Sequence, residues 1–347
     1  MSYTGISLIV KLLNYMDSIL KCGGECMARK AIDLHCDTLM KIAKSGNLDE
    51  NEKSHVSLKG LRDGGVALQC FADFVPTGIF PKPVRKIATA AMFNSFYKKY
   101  QKMMVYHADA LFPVLKAADL DKCGVDGKIG VLLTIEDGGV LGDKIENVKK
   151  FYDKGVRLVT LTWNHANAIG YPNSYEPEIM NKGLTPFGKE VIREMEHLGM
   201  VVDVSHVSDG VFRDVAEMAT KPFLASHSNS RAVCGHKRNM TDDMIRKLAD
   251  KGGVMGLNLG PEFVGEVEGV TRLEDLVTQV LHIRNVGGSG VLALGSDFDG
   301  IHGALDIAGP QDWSRLEGAL KEAGLSDDEL DMMWYTNAER VIRDVLV

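Results

Sequence analysis

Eight continuous apolar segments, most of them separated by a helical pattern, constrain the fold of this chain more than any other feature. Strands that are apolar throughout are buried on both faces, which requires a parallel sheet covered by helices. Eight such units in one chain favour a (β/α)8 barrel, also called a TIM barrel. The segments are residues 31–39, 67–75, 129–137, 156–164, 200–206, 221–228, 253–259 and 291–300.

A doubly wound open sheet is the alternative fold for the same alternation of strands and helices. Its dinucleotide-binding form carries a Gly-x-Gly-x-x-Gly turn after the first strand, and no such turn follows residues 31–39. Neither a linker nor a low-complexity segment interrupts the pattern. Residues 29–347 are therefore predicted to form a single barrel domain.

The first 28 residues do not belong to this pattern. Their apolar residues have helical spacing, but Lys11 and Asp17 interrupt them, so the run is shorter than the ~20 residues of a membrane span. A basic start and a small-residue cleavage site, the marks of a signal peptide, are also missing. We expect a leader that is helical or disordered, and that need not be native to the protein.

Composition narrows the class of function and the compartment. The net charge of −7 argues against a nucleic-acid partner, because nucleic-acid binders usually present a basic face. Six cysteines in 347 residues are too sparse for a disulfide scaffold and fit a reducing compartment. We expect a cytoplasmic enzyme that does not bind a membrane.

Side chains that can bind a metal follow several of the predicted strands. In a barrel of this type the C-terminal ends of the strands form one rim, which carries the active site. His35 and Asp37 are two residues apart and share a strand face, while Cys36 points away as a small buried hydrophobe. The other residues of interest at strand ends are Glu136, Trp163, His165, His206, His227, Asp297 and Asp299. Asp297 and Asp299 are also two residues apart and are expected to share a face.

This set predicts a centre with two metal ions. Histidine and carboxylate ligands without cysteine are typical of zinc, with manganese and iron as alternatives. Before any catalytic base is assigned, three histidines and two carboxylates of this set already exceed the three protein ligands that usually hold one catalytic zinc. Two ions about 3.5–4 Å apart and bridged by a carboxylate would use them all. Glu136 is the natural bridge, because it comes from the middle of the set.

Beyond these single residues, longer motifs resemble the membrane (renal) dipeptidase family of zinc peptidases and its bacterial relatives. They run in order over almost the whole chain after Ala31. The matching stretches are DLHCDT, IEDGG at 135–139, GVRLVTLTWNH, GLTPFGKEVIREM, VVDVSHVSD, ASHSNSRAV, HKRNM at 236–240 and GSDFDG.

The resemblance implies a role for each residue of the site. It implies a barrel with two zinc ions, and a homodimer. His35 and Asp37 would hold one ion, His206 and His227 the other, and Glu136 would bridge them. Asp297 would match the catalytic aspartate, and Arg238 the arginine that binds the terminal carboxylate of the substrate.

One position departs from the family pattern. Members such as the renal enzyme have a histidine directly after Leu-Thr at the end of strand four, where this chain has Trp163. His165 follows two residues later, and a two-residue step keeps the same strand face. We therefore expect His165 to contact the substrate and to hydrogen-bond the developing oxyanion.

The predicted function is that of a binuclear zinc dipeptidase, in which a metal-bridging hydroxide attacks the peptide bond and a D-residue is tolerated at the C-terminal position. The alternative is another barrel amidohydrolase, acting on N-acyl amino acids or lactones. Those enzymes usually open with His-x-His, and many use a lysine from strand four, whereas residues 156–165 contain none. A catalytically inactive scaffold is a third reading, which an intact ligand set disfavours.

Overall fold

Eight parallel strands close into a barrel in the computed structural model, which describes residues 28–347. The first strand pairs with the second on one side and with the last on the other, so these eight strands close on themselves. This confirms the predicted (β/α)8 barrel and excludes the open sheet. The barrel strands are β1 Ala31–Cys36, β2 Val66–Phe74, β3 Ile129–Glu136, β4 Val156–Thr160, β5 Val201–Asp203, β6 Leu224–Ser228, β7 Val254–Leu257 and β8 Leu292–Leu294.

Several strands end earlier than their apolar segments predict. β5 and β8 have 3 residues each, so His206 and Asp297 lie three residues beyond the ends of their strands. Three short strands were not predicted. Leu111–Pro113 pairs with β3, and Val270–Thr271 pairs with Ala304–Leu305.

Two hydrophobic clusters hold the layers together. The inner cluster takes residues from all eight barrel strands and from the C-terminal helix, Asn337–Val345. Val201, Leu224 and Val254, the first residues of their strands, belong to this cluster. The C-terminal helix therefore closes the N-terminal end of the barrel, and the opposite rim stays open for a site.

Side-chain hydrogen bonds cap the starts of several helices. Thr185, Ser208 and Thr241 each accept a hydrogen bond from a backbone N–H of the first turn, as N-cap residues do. Ser326-x-x-Glu329 forms a capping box, whereas Thr336-x-x-Glu339, which has the same sequence pattern, does not. The π-helix Met332–Thr336 runs directly into the last helix, so Thr336 has helical backbone angles and caps nothing.

The helices cover the outside of the barrel. None in residues 28–347 combines the length and the apolar character needed to cross a membrane. The predicted leader lies outside the described residues except for Ala28, and the homodimer stays a prediction. The α-helices are Thr38–Lys41, Leu58–Asp63, Lys82–Tyr106, Glu146–Asp153, Pro177–Met180, Pro186–Leu198, Asp209–Met218, Asp242–Asp250, Pro261–Val264, Leu273–Gly287, Trp313–Glu322, Asp327–Asp331 and Asn337–Val345.

Asp73, a buried carboxylate on β2, does not belong to the group of side chains at the rim. Asp73 is 0% exposed, and neither of its carboxylate oxygens has a hydrogen-bond partner among the described residues. It pairs with Ile135, which belongs to the second hydrophobic cluster, the one between the strands and the helices. Asp73 therefore faces the helix layer. Burial raises the pKa of Asp73 well above its ordinary value, so the folded state favours the neutral form of this carboxyl.

Asp73→Asn is expected to stabilise the protein increasingly as the pH rises above the ordinary carboxyl pKa. The unfolded chain ionises above its ordinary carboxyl pKa, whereas the folded chain must keep this group protonated. A raised folded-state pKa therefore costs stability as the pH rises, by up to about 1.4 kcal/mol per pH unit. The measurement is the free energy of unfolding of both proteins at several pH values. Asp250→Asn, at an exposed position, is the control, and a gain for Asp73→Asn that does not change with pH would contradict the assignment.

Candidate active site

The five predicted metal ligands meet at the open rim of the barrel, around one carboxylate. Glu136 Oε2 lies 3.4 Å from His35 Nε2, which is itself 3.5 Å from Asp37 Oδ2. Glu136 Oε1 lies 3.0 Å from His206 Nε2 and 3.7 Å from His227 Nε2. The two oxygens of Glu136 thus face two different pairs of side chains.

The first pair comes from the end of β1, but not by strand geometry alone. His35 lies within the strand, whereas Asp37 has left it, with φ −98° and ψ 22°, and precedes the short helix Thr38–Lys41. His35 and Asp37 are close together, as expected, but the turn after β1 brings Asp37 to His35. Cys36 is fully buried and its thiol donates to the carbonyl of Cys70, 3.3 Å away, outside the group.

Left-handed turns place the residues that lie beyond the shortened strands. His206, with φ +69°, follows β5, and Asp297, with φ +62°, follows β8. Asp137 and Asp299 also have positive φ. A left-handed backbone costs a non-glycine residue roughly 1–2 kcal/mol, and such strain concentrates at functional sites. Strained backbone at the rim therefore sets the direction of the His206 and Asp297 side chains.

A serine and an aspartate behind His227 fix its orientation and its proton. Ser226 Oγ donates to Asp203 Oδ2 at 2.6 Å and lies 2.6 Å from His227 Nδ1. Because the single hydroxyl proton goes to the carboxylate, Nδ1 of His227 must be the donor in the second contact. Nε2 then carries a free lone pair that points at the group, as a metal ligand requires.

A second aspartate–serine pair lies between β1 and β8. Asp33 accepts hydrogen bonds from the hydroxyl of Ser296 at 2.6 Å and from its backbone N–H at 2.9 Å. The Ser296 hydroxyl also lies 3.1 Å from the carbonyl of His35. Sequence reasoning missed both aspartate–serine pairs, although each serine lies within two residues of a predicted site residue.

The electrostatics of the site call for a cation. Burial, reinforced by Asp37, raises the pKa of Glu136 to about 8, and the same causes raise the pKa of Asp297 to about 7. Burial opposes protonation of His35, yet Glu136 and Asp37 together raise its pKa well above the ordinary value. Burial lowers the pKa values of His206 and His227 well below the ordinary value. The lowered pKa values of His206 and His227 favour the neutral imidazole, which is the form of histidine that binds a metal.

The donor atoms fit one or two divalent ions. Nε2 of His35 and Oδ1 of Asp37 are buried and have no hydrogen-bond partner among the described residues. Buried polar atoms without partners are rare, and a ligand that satisfies them is a standard explanation. Within the described chain, three overlapping sets have their ligand atoms within 4.8 Å of one another: His35, Asp37 and Glu136; Glu136, His206 and His227; His35, His227 and Asp297.

Asp297 and Asp299 point in different directions. Asp297 Oδ2 accepts from Asn258 Nδ2 at 2.9 Å, and its Oδ1 lies 3.9 Å from His35 Nε2. Asp299 instead accepts from the hydroxyls of Thr38 and Ser54, both at 2.7 Å. The sequence prediction that they share a face is wrong, because neither residue is in a strand. Asp297 belongs to the site, and Asp299 holds the loop behind it.

Arg238 lies in the loop after β6 with only 5% of its surface exposed. Its Nη1 donates to Ser228 Oγ at 2.9 Å and its Nη2 to the carbonyl of His227 at 2.7 Å, while Nε has no partner among the described residues. Burial lowers its pKa to about 10, which leaves it charged at neutral pH. Arg238 is thus a fixed cation in the wall of the cavity.

The structure does not bring His165 to the other site residues. It is exposed and packs against Gly78, and it does not line the cavity, whereas Trp163 and Asn164 do. β4 ends at Thr160, so the two-residue step from Trp163 to His165 runs along a loop and not along a strand. The two-residue alternation of a strand therefore does not apply here, and the loop turns His165 outward.

A cavity of about 480 Å³ lies over the site residues. Its volume is in the range that holds a small molecule. One wall is aromatic, because the rings of Phe74 and Trp163 meet edge to face with centroids 5.0 Å apart. Other residues around the opening include Asn173, His236, Lys237, Phe263, Ile301 and His302.

Ser226→Ala is expected to weaken zinc binding by about 10- to 100-fold. His227 would lose the acceptor that fixes its Nδ1 proton, and both tautomers would become accessible. The affinity can be measured by competition with a chelator of known zinc affinity. Ser326→Ala, which removes the capping hydroxyl of the helix Asp327–Asp331, should lower thermal stability without changing zinc affinity. Unchanged zinc affinity in Ser226→Ala would show that the serine does not orient the ligand.

Comparison with known proteins agrees with this site. A family model described as membrane dipeptidase, peptidase family M19, matches residues 26–346. An uncharacterized protein in the pqqA 5′ region of Klebsiella pneumoniae is 33% identical over 254 residues, which are 71% of this chain and 93% of that protein. Dipeptidase tcpJ of Claviceps purpurea is 30% identical over 301 residues, 84% of this chain and 69% of that protein.

Solved structures share the fold at lower sequence identity. Dipeptidase AC, a metallopeptidase, has a TM-score of 0.83 and 22% identity over 92% of this chain and 99% of that chain. A metallopeptidase from Rhodobacter sphaeroides, solved with a phosphinate mimic of L-Ala-D-Ala, has a TM-score of 0.82 and 21% identity over the same shares. With the family model matched from residue 26 to residue 346, the chain belongs to the membrane dipeptidase family of metallopeptidases.

Proposed function

We propose that this enzyme is a binuclear zinc dipeptidase that cleaves the peptide bond of dipeptides. The observation that carries the proposal is the position of Glu136, whose two oxygens face separate pairs of ligands at 3.0 to 3.7 Å. A single zinc site needs three protein ligands, whereas this arrangement offers two sets of three that share one carboxylate. Family membership favours a dipeptide substrate over N-acyl amino acids or lactones.

In this proposal His35 and Asp37 would hold one zinc ion, His206 and His227 would hold the other, and Glu136 would be shared. When bound, zinc would polarise the scissile carbonyl and lower the pKa of the attacking water. The protein contributes fixed ligands, because Ser226 and Asp203 lock the proton of His227. It also contributes the aromatic wall of Phe74 and Trp163, which excludes water from one side of the cavity.

Asp297 is proposed to move the proton. Its Oδ1 is directed at the ligand group, and Asn258 holds its Oδ2. A pKa of about 7 lets a carboxyl accept a proton and return it near neutral pH. Asp297 would take the proton from the attacking water and deliver it to the leaving amine.

Arg238 is proposed to select dipeptides by binding their C-terminal carboxylate. Two of its five N–H groups are used by Ser228 and His227, which fix the guanidinium in the wall. The remaining N–H groups can form charge-assisted bonds with a carboxylate. A longer peptide would place an amide against this buried cation, and an amide does not compensate the charge. Tolerance of a D-residue at the C-terminal position is also proposed, since the Rhodobacter sphaeroides relative was solved with a mimic of L-Ala-D-Ala.

The function is tested by counting metal ions and by a substrate panel. We expect two equivalents of zinc per chain by elemental analysis. L-Ala-L-Ala and L-Ala-D-Ala should be cleaved, whereas L-Ala-L-Ala amide and N-acetyl-alanine should be poor substrates. One equivalent of zinc at full activity would contradict the two-metal centre. Faster cleavage of N-acetyl-alanine than of either dipeptide would favour the amidohydrolase alternative.

Asp297→Asn is expected to lower kcat by roughly 10²- to 10⁴-fold while both zinc ions stay bound. An amide keeps the hydrogen bond with Asn258 in one orientation but cannot accept the proton. Turnover of L-Ala-L-Ala and zinc content should be measured on the same preparation. Asp299→Asn is the matched control, because that carboxylate points away from the cavity. An inactive Asp299→Asn beside an active Asp297→Asn would reverse the two roles.

A further inference from the structure

A second cavity lies between the first half of the helix Lys82–Tyr106 and the segment 139–154. We call it the basic groove, and its volume is about 650 Å³. No residue that lines it also lines the active-site cavity. Asp143 is the one acidic side chain at its wall, against six basic ones: Lys82, Arg85, Lys86, Lys144, Lys150 and Lys154.

This concentration of positive charge stands out against the composition of the chain. The protein has 47 acidic and 40 basic residues, yet the helix Lys82–Tyr106 carries six basic residues and no acidic one. None of the six cations of the basic groove forms an ion pair within residues 28–347. Neighbouring like charges on a helix destabilise it, so the groove keeps a repulsion that a bound anion would relieve.

Several of these cations are already held in place. Arg85 donates from Nε to the carbonyl of Phe80 at 3.0 Å, which leaves other guanidinium N–H groups for a ligand. Lys150 Nζ donates to Asn147 at 2.9 Å. Lys154 Nζ lies 4.8 Å from the ring centroid of Tyr97. Fixing a cation before a ligand arrives reduces the entropy that binding costs.

We propose that the basic groove binds a small polyanion, a molecule with two or more phosphate or carboxylate groups. Cations on two facing walls suit a ligand with several separated charges. The volume lies within the range of small-molecule sites. The net charge of −7 opposes an extended polyanion such as a nucleic acid, which would also meet the acidic parts of the surface.

Asp137 connects the basic groove to the back of the metal site. Thr77 and Asn167 line it, and both donate hydrogen bonds to the carboxylate of Asp137, at 2.8 and 2.9 Å. Asp137 directly follows Glu136, the shared ligand. An anion in the groove therefore lies behind the turn that carries Glu136, in a place that substrate does not reach.

The test uses the trianionic fluorophore 8-hydroxypyrene-1,3,6-trisulfonate, whose sulfonates are weak zinc ligands, with the zinc-loaded enzyme. Fluorescence anisotropy should show one probe bound per chain. Lys86→Glu/Lys150→Glu should weaken binding by roughly tenfold or more, the size expected for lost charge-assisted contacts. Lys53→Glu/Lys98→Glu changes the net charge equally at exposed positions outside the groove, and should change the affinity less than about twofold.

Two outcomes would overturn the proposal. One is equal weakening by both double variants, which would show binding by net charge alone. The other is displacement of the probe by a phosphinate dipeptide mimic, which would place the probe in the active site. Displacement by inorganic phosphate and by tricarballylate then identifies the preferred group, since the anion that competes at the lower concentration shares the chemistry of the natural ligand.

Discussion

The repulsion among three buried carboxylates is the constraint on which this structure depends. Asp37, Glu136 and Asp297 are each less than a tenth exposed and all lie within 4 Å of His35 Nε2. Like charges at this distance in a poorly solvated site repel strongly, and one imidazole cannot neutralise three carboxylates. Burial of the inner hydrophobic cluster, at the other end of the barrel, offsets the free-energy cost of this repulsion. Metal ions are the natural compensation, so the barrel acts as a frame for them.

The barrel positions the candidate metal ligands in two ways. His35, Glu136 and His227 lie on strands, where the sheet fixes them, whereas His206 and Asp297 sit on left-handed turns after strands of 3 residues. A turn can point a side chain where a continued strand could not, at the cost of backbone strain. Below the rim, the buried aspartates Asp33 and Asp203 accept hydrogen bonds from Ser296 and Ser226. These bonds fix the backbone next to the strained turns. Rigidity of this kind keeps ligands in place before the metal binds.

The sequence predicts the barrel, and the gathering of His35, Asp37, Glu136, His206 and His227 at its rim, because both depend on local patterns. Apolar runs mark strands buried on both faces, and strand ends converge on one rim whatever the exact strand length. The positions of His165 and Asp299 could not be predicted, because each inference extended strand geometry beyond the true end of a strand. The pairing of Asp203 with Ser226 spans 23 residues, and a contact between separate strands leaves no local pattern. Backbone direction beyond a strand end is set by the tertiary structure and not by the neighbouring residues.

The loop after β4 shows how the departure from the family pattern and the basic groove are connected. Trp163 faces the active site, 5.0 Å from Phe74 and 6.5 Å from His206 between ring centroids. Ala166, Asn167 and Ala168, a few residues later, line the groove on the other side. Asn167 also donates to Asp137 and to the carbonyl of Leu161, which ties both ends of the loop to the rim. Since one short segment contacts both cavities, an anion that shifts Asn167 would alter the position of Trp163 and of the turn beside Glu136 together.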